Sequence, residues 1–504
     1  MTPALPRSPA GNFNPWFVAC VLSLAPFMEV LDTTIANVSL THIAGSLGVS
    51  QSESTWVLTS YLVSNSIVLP ISGWLANVLG RKRFYQICVA LFTVSSVLCA
   101  VSSSLDMIIA ARILQGLGGG GLAPCTQSML ADSFPNYKRA QVFALFGVTV
   151  ISAPAIGPVL GGWLTENLSW HWIFLINLPI GLVAMTLIAI FVSEPALLIA
   201  ERAELIAKGL KLDYFGLFLV TAGFGALQIF LDKFELNDGF SSPFIVALFF
   251  IFTASLVTLV VWEWQHPQPV MNFRLFKYKN FSICSAVMFF IGFLFLSSTQ
   301  LVPQLAQTLL GYDAESSGQA LGLGALGTIC ALPIAGQLLG RGVQPRLMMA
   351  GAVIVMGLAL FNEAHLPPDM SFGGLAVSRI LQVVPMPFIF IPLSASAYVG
   401  IPARLNGEAA ALVNQMRNIG GSIGISFVTT LLAWRTQFHH ARFAEAINPY
   451  GSLHGATVGQ AAAIVQQQAS FVSYLDAFQV VGIAALLFWP IVLFLKSPPA
   501  RPAG

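Results

Sequence analysis

Along the chain, apolar runs of roughly twenty residues alternate with short polar interruptions. The runs begin near Trp16, Trp56, Phe84, Met107, Ala140, Trp170, Tyr214, Pro243, Phe281, Ser317, Arg346, Phe372, Glu408 and Tyr474. A helix needs about 20 mainly apolar residues to cross a bilayer, so the pattern predicts fourteen transmembrane helices, termed spans 1 to 14 below. The remaining connections leave no room for a large soluble domain. The first run is long, follows a lone Arg7 and carries Glu29 and Asp32 in its second half. It reads as span 1 and not as a cleaved leader. The predicted class is an all-α polytopic membrane protein.

Composition agrees with this class. Of 504 residues, 56% are hydrophobic and only 9% charged, against about 25% charged in soluble proteins, which excludes a soluble enzyme. The 23 basic and 21 acidic residues nearly cancel, so no field draws nucleic acid and the partner is sought in the bilayer or across it. Basic residues crowd the short loops of one side, with Arg81, Lys82 and Arg83 between spans 2 and 3, whereas Lys233, Arg435 and Arg442 fall on the other. The positive-inside rule then places both termini in the cytoplasm. The cysteines show no CxxC spacing and His439-His440 lacks the i, i+4 metal spacing, so no metal or cofactor is expected. No glycine-rich run ends in GK[ST], which argues against direct ATP drive. GLGGGG at Gly116 to Gly121 lies inside span 4, follows no strand and is no dinucleotide loop.

Two polar connections are long. Glu194 to Asp213 has the spacing of an amphipathic helix on the cytoplasmic surface. Residues 435–473, outside, contain NPYGS and a Gln-rich helix-prone stretch, and read either as a capped surface loop or as a dock for an external partner.

Charge inside a span is costly and is first a functional hypothesis. Glu29 and Asp32 are three apart in span 1 and share a face. Counted from Trp16, Asp32 lies about 24 Å from the cytoplasmic end, and Arg112 lies about 8 Å below the outer end of span 4. Their depths match, so the carboxylate and guanidinium are natural partners, with Gln115 one turn further on. In low dielectric a carboxylate's proton affinity is a contest between desolvation and the neighbouring cation, which makes a proton switch. The membrane potential adds about 2.3 kcal/mol per charge per 100 mV. The alternative is a static ion pair. Asn37 and Arg417 are further candidates for a polar substrate path.

Span 5 reads GVTVISAPAIGPVLGGWL, with Ala153, Gly157 and Gly161 on one stripe, Pro154 and Pro158 on another, and Gly162 closing the run. Small stripes let helices approach closely, and prolines weaken a helix where it must bend. Between spans 2 and 3, Gly73, Gly80, Arg81, Lys82 and Arg83 read either as a positive-inside anchor or as a latch that engages in one of two conformations.

These motifs resemble the major facilitator superfamily, and in particular its 14-span, EmrB-type drug:proton antiporter branch. The resemblance rests on LDTTIANV (Leu31 to Val38), GWLANVLGRKR (Gly73 to Arg83), RILQGLGGG (Arg112 to Gly120), GPVLGG (Gly157 to Gly162) and NQMRNIGGSIGIS in span 13. It implies two six-helix bundles in residues 1–193 and 266–504, separated by a linker and an inserted helix pair in 194–265, with alternating access around a central cavity. It also implies proton coupling at Asp32 with support from Arg112, export of hydrophobic or amphiphilic toxic compounds across a bacterial inner membrane, and a tripartite pump with a periplasmic membrane-fusion adaptor and a TolC-like outer-membrane channel. The loop motif usually carries an acid where this chain has Asn77. Alternatives are a proton-coupled carrier of one metabolite or siderophore, an importer by symport, and a non-transporting membrane sensor.

Overall fold

The computed structural model describes residues 14–134, 138–194, 199–200, 202–203, 207, 213–312, 314–368, 370–402, 405–445 and 458–495. Among them there is no β-strand. The long helices are α1 (Pro15–Val38), α2 (Trp56–Leu79), α3 (Arg81–Ala100), α4 (Leu105–Gly119), α5 (Leu122–Ser133), α6 (Arg139–Asn167), α7 (Asn177–Phe191), α8 (Tyr214–Lys233), α9 (Pro243–Gln265), α10 (Lys279–Thr308), α11 (Ala314–Gly340), α12 (Pro345–Glu363), α13 (Phe372–Val383), α14 (Met386–Ala397), α15 (Asn406–Glu445) and α16 (Val458–Phe488). The predicted starts recur as helix starts to within a few residues, except that Trp170 precedes a short helical turn (Trp172–Leu175) ahead of α7 and Tyr474 falls inside α16. Asn14 caps α1 by accepting from the Trp16 amide at 3.0 Å, with Pro15 at the first helical position. Asp213 caps α8 through the Gly216 amide at 2.8 Å.

Two predicted spans are broken helices: span 4 is α4 with α5, and span 12 is α13 with α14. Among the described residues, eleven helices are long and apolar enough to cross a membrane, twelve when the bent α6 is included. The two parts of span 4, at 15 and 12 residues, are each too short to cross alone, and α15 carries polar residues along its length, so the count is compatible with fourteen crossings.

α1 packs on α6, α2 and α3 on α4, α10 on α15, and α12 on α16. Two seams join the halves of the chain: α2 against α15, and α6 against α11. α8 lies over the first seam, touching both α2 and α15, and carries α9 on its outer side. Only 17% of the most apolar window of α9 is buried, and its exposed Phe250 and Val257 suit contact with lipid.

In the outer polar connection the described parts are helical. Residues up to Glu445 continue α15, those from Val458 continue α16, and the NPYGS stretch lies outside the described residues. Ala- and Gln-rich sequence favours helix. At 40 residues α15 is about 60 Å long, twice the hydrocarbon thickness of about 30 Å. Asp476 of α16 pins the two helices, accepting from Arg435 at 2.6 Å and pairing with His439 at 2.7 Å. Of the amphipathic linker, Glu194 and Arg202 are placed, and most of the rest lies outside the described residues.

Candidate functional site

The glycine run of span 4 determines where Arg112 goes. A Cβ on Gly118 would stand 2.7 Å from the Phe92 amide nitrogen of α3, and one on Gly120 would stand 2.7 Å from the Asn65 carbonyl of α2. No larger residue lets α4 lie this close to both neighbours. Arg112 is thereby thrust between α1 and α2, where it is wholly buried. Its Nη1 donates to Asp32 Oδ2 at 2.6 Å and to Gln115 Oε1 at 2.7 Å, and its Nε donates to the Val57 carbonyl at 2.9 Å. The guanidinium lies over the Tyr61 ring, 4.5 Å from its centroid.

The other oxygen of Asp32 is equally engaged. Oδ1 accepts from Gln115 at 2.9 Å and from Asn177 at 2.6 Å, while both amides also reach Ser96, at 3.2 and 2.8 Å. Ile35, Val57, Ala111 and Phe174 enclose the group in an apolar shell. Burying two charges in such a shell offers no net stability over apolar residues of the same volume, so its presence calls for a function. Ser96 and Asn177 escaped the sequence reading because uncharged polar residues are common in spans and carry no signal alone.

Glu29 does not join Asp32, although they share a face. It is half-buried, and its Oε1 accepts from Asn65 at 3.0 Å and Tyr61 at 3.3 Å. Asn418 of α15 donates to Asn65 at 3.4 Å, and Arg417 is the cation that acts on Glu29 across the α2/α15 seam. Tyr61 thus stands between two acids, covering Arg112 with its ring and reaching Glu29 with its hydroxyl. Asn37 is exposed near the end of α1, outside both networks.

At the end bearing Arg81 to Arg83, the seam is tight. A Cβ on Gly73 would lie 2.6 Å from the Glu408 amide nitrogen and 2.7 Å from the Gly407 carbonyl carbon, so α2 and α15 touch backbone to backbone. Asn77 donates to Glu408 Oε1 at 3.3 Å, and Asn272 donates to its Oε2 at 2.8 Å. The acid absent from position 77 is therefore supplied by the facing helix. Arg81 pairs with Asp132 of α5, and Asn406 donates to Asp132 at 3.0 Å. Gly80 has φ +91°, which favours glycine, and turns the chain so that the Arg81 amide meets Glu194 at 2.7 Å. Lys82 donates to the Ala189 carbonyl at 2.8 Å. Arg83 is exposed.

In α6, Gly157 faces Thr34 and Gly161 faces Ile35, whose Cα would stand 3.2 Å from an added Cβ. Gly162 has nothing within 4 Å and lies off this contact. The helix bends by 42° between its Gln141–Pro154 and Val159–Asn167 parts, where Pro154 and Pro158 remove amide donors. Gly157→Leu is expected to force α1 and α6 apart and stop transport. Crosslinking that reports normal opening and closing in the variant would reduce the stripe to packing.

The chain is similar to known proteins along most of its length. The family model of the Major Facilitator Superfamily matches residues 22–425. The probable multidrug resistance protein EmrY of Escherichia coli is 34% identical, with 96% of each chain covered. The multidrug export protein EmrB of Haemophilus influenzae is 34% identical over 95% of each, and the fatty acid resistance protein FarB of Neisseria gonorrhoeae is 33% identical over 97% of each. Among solved structures, the human organic anion transporter MFSD10 superposes with a TM-score of 0.60 at 15% identity, covering 94% of this chain and 99% of its own, a likeness of fold alone. The chain therefore belongs to the major facilitator superfamily, a family of membrane transporters and not of enzymes, and within it to the EmrB-type export proteins.

Proposed function

We propose that this protein exports hydrophobic or amphiphilic toxic compounds from the cytoplasm in exchange for protons, using the proton gradient and no cofactor. The observation that carries the reading is the sealed Asp32–Arg112–Gln115 cluster, linked through Tyr61 to Glu29 at the seam between the halves. A proton arriving at this group alters the charge balance beside the surface along which the halves move. The names of the relatives supply the substrate class. The crowding of basic residues at the Gly73 end supports a cytoplasmic assignment for that end and for both termini, with the membrane being the bacterial inner membrane. The contacts of Gly73, Asn77 and Asp132 then close the cytoplasmic side.

The test is reconstitution into liposomes with an imposed pH gradient and a fluorescent lipophilic cation. Antiport predicts uphill movement of the cation against the proton flux. Movement in the same direction as protons would make the protein a symporter, and absence of flux under any gradient would favour a sensor.

The paired extensions of α15 and α16 support docking of a periplasmic adaptor that hands substrate to a TolC-like outer-membrane channel. Ile464, Gln467 and Gln468 are exposed on α16, whereas Val465 and Ala469 are buried. Replacing the three exposed residues with Glu is expected to leave transport in liposomes intact while resistance of whole cells falls. Survival of both would move the dock elsewhere, and failure of both would assign the extensions to the transport cycle.

A further inference from the structure

The second half of the chain holds a cluster that copies the first. Arg-Ile-Leu-Gln occurs twice, as Arg112 to Gln115 and as Arg379 to Gln382, each on the first part of a broken span. One constant displacement along the chain carries Arg112 to Arg379, Gln115 to Gln382, Ser96 to Glu363 and Asp32 to Thr299. The contacts are carried with it. Arg379 donates to its own Gln382, as Arg112 does to Gln115. It also donates to Thr299 at 2.8 Å, where Arg112 meets Asp32. Gln382 Nε2 donates to Glu363 Oε2 at 3.3 Å, where Gln115 meets Ser96. The acid has moved from the first helix of the half to the third, and the rest of the frame is retained.

We propose that Glu363 is a second proton-exchanging carboxylate, so that each cycle moves one proton more than Asp32 alone would carry. The inference rests on the proton-antiport reading above. Glu363 is 1% exposed, and Oε1 accepts from Ser378 at 2.7 Å. Unlike Asp32, it has no cation within ion-pair distance among the described residues. Gln382 stands between it and the Arg379 guanidinium, whose charge acts on it from beyond the amide. The neighbouring α16 presents Gly482 to the backbone of Phe361 and Leu360 and brings apolar Ala485 and Leu486 against Gly357. A carboxyl held by neutral hydroxyl and amide donors keeps these hydrogen-bond partners in both protonation states, since the Ser378 hydroxyl can also accept. Taking up a proton converts the carboxylate to the acid, and release to the opposite side restores it.

The experiment measures proton and cation fluxes together in liposomes containing wild-type protein, Glu363→Gln, or Asp32→Asn. A fall of one in the proton-to-substrate ratio for Glu363→Gln, with export retained, is the expected result, whereas Asp32→Asn, which stops uphill export, gives no coupled flux from which a ratio could be taken. An unchanged ratio in Glu363→Gln overturns the second site while leaving the first intact. Absence of proton flux in the wild type overturns the antiport reading, and this inference with it. Infrared difference spectra between acid and alkaline pH supply a readout that needs no transport. A protonated-carboxyl band that shifts in Ser378→Ala and is lost in Glu363→Gln supports the proposal. A spectrum identical to wild type in Ser378→Ala, which removes only one hydroxyl and keeps the carboxyl, contradicts it even should Glu363→Gln not fold.

Discussion

Asp32→Asn is expected to reduce uphill export to the level of empty liposomes. Asp32 uses both oxygens at once, taking Arg112 on one and Gln115 and Asn177 on the other. An amide has a single acceptor oxygen and no proton to release over the accessible pH range. Its NH2 must face either the guanidinium or the two amide donors, so one set of donors is left unmatched. Breaking a buried pair by removing one partner costs about 3–5 kcal/mol, and a misfolded protein would mimic a lost proton site. The companion variant is therefore Asp32→Asn with Arg112→Gln, which removes both charges. A double variant that regains thermal stability and still fails to accumulate substrate assigns the loss to coupling. Uphill transport by either variant would remove Asp32 from the proton path.

The Asp32–Arg112 pair could be read from the sequence because charge in a span is rare and rise per residue converts position to depth. Depth matching places two groups on one level without saying which faces meet. This is why Gln115 was reachable, three residues from Arg112 on the same helix, whereas Asn177 on α7 was not. The same limit explains Glu29. Sharing a helical face with Asp32 suggested a joint site, yet α2 inserts Tyr61 and Asn65 between α1 and the second half, and these draw the longer side chain toward the seam.

Breaks within helices and events across the seam were less legible. Gly116 to Gly121 is visible as a motif, but only the approach of Phe92 and Asn65 shows that its work is to seat α4. Asn77 looked like a missing charge. Glu408, more than three hundred residues further on, restores the acid from the opposite helix, and nothing local to either residue announces the exchange. The outer connection was legible as helix-prone, but its polar composition hid that its two ends prolong α15 and α16. Helices that leave the bilayer as a pair need no apolar surface toward lipid, so their hydropathy falls while their helical propensity persists.

Gly73→Leu should open the end of the protein that bears Arg81 to Arg83. Even a bare Cβ at this position would come within 2.6 Å of the Glu408 amide nitrogen and 2.7 Å of its Cα. Those are backbone atoms at the start of a 40-residue helix, which cannot turn aside as a side chain tip could. Overpacking of this kind typically costs about 1–3 kcal/mol, corresponding to a population shift of roughly 5- to 150-fold away from the closed arrangement. The penalty falls on one conformation only, because separating α2 from α15 relieves it. Asn414 reports the change. It is fully buried behind the latch, donating to Gln127 of α5 at 2.8 Å. With the native cysteines replaced by Ser, Asn414→Cys should resist a hydrophilic thiol reagent in detergent and become reactive when Gly73→Leu is added. Gly351→Leu, where nothing lies within 4 Å of an added Cβ, controls for the extra bulk and should leave the cysteine protected. Equal protection in the Gly73 variant would mean that the contact yields without separating the helices, and the latch would then be an anchor and not a gate.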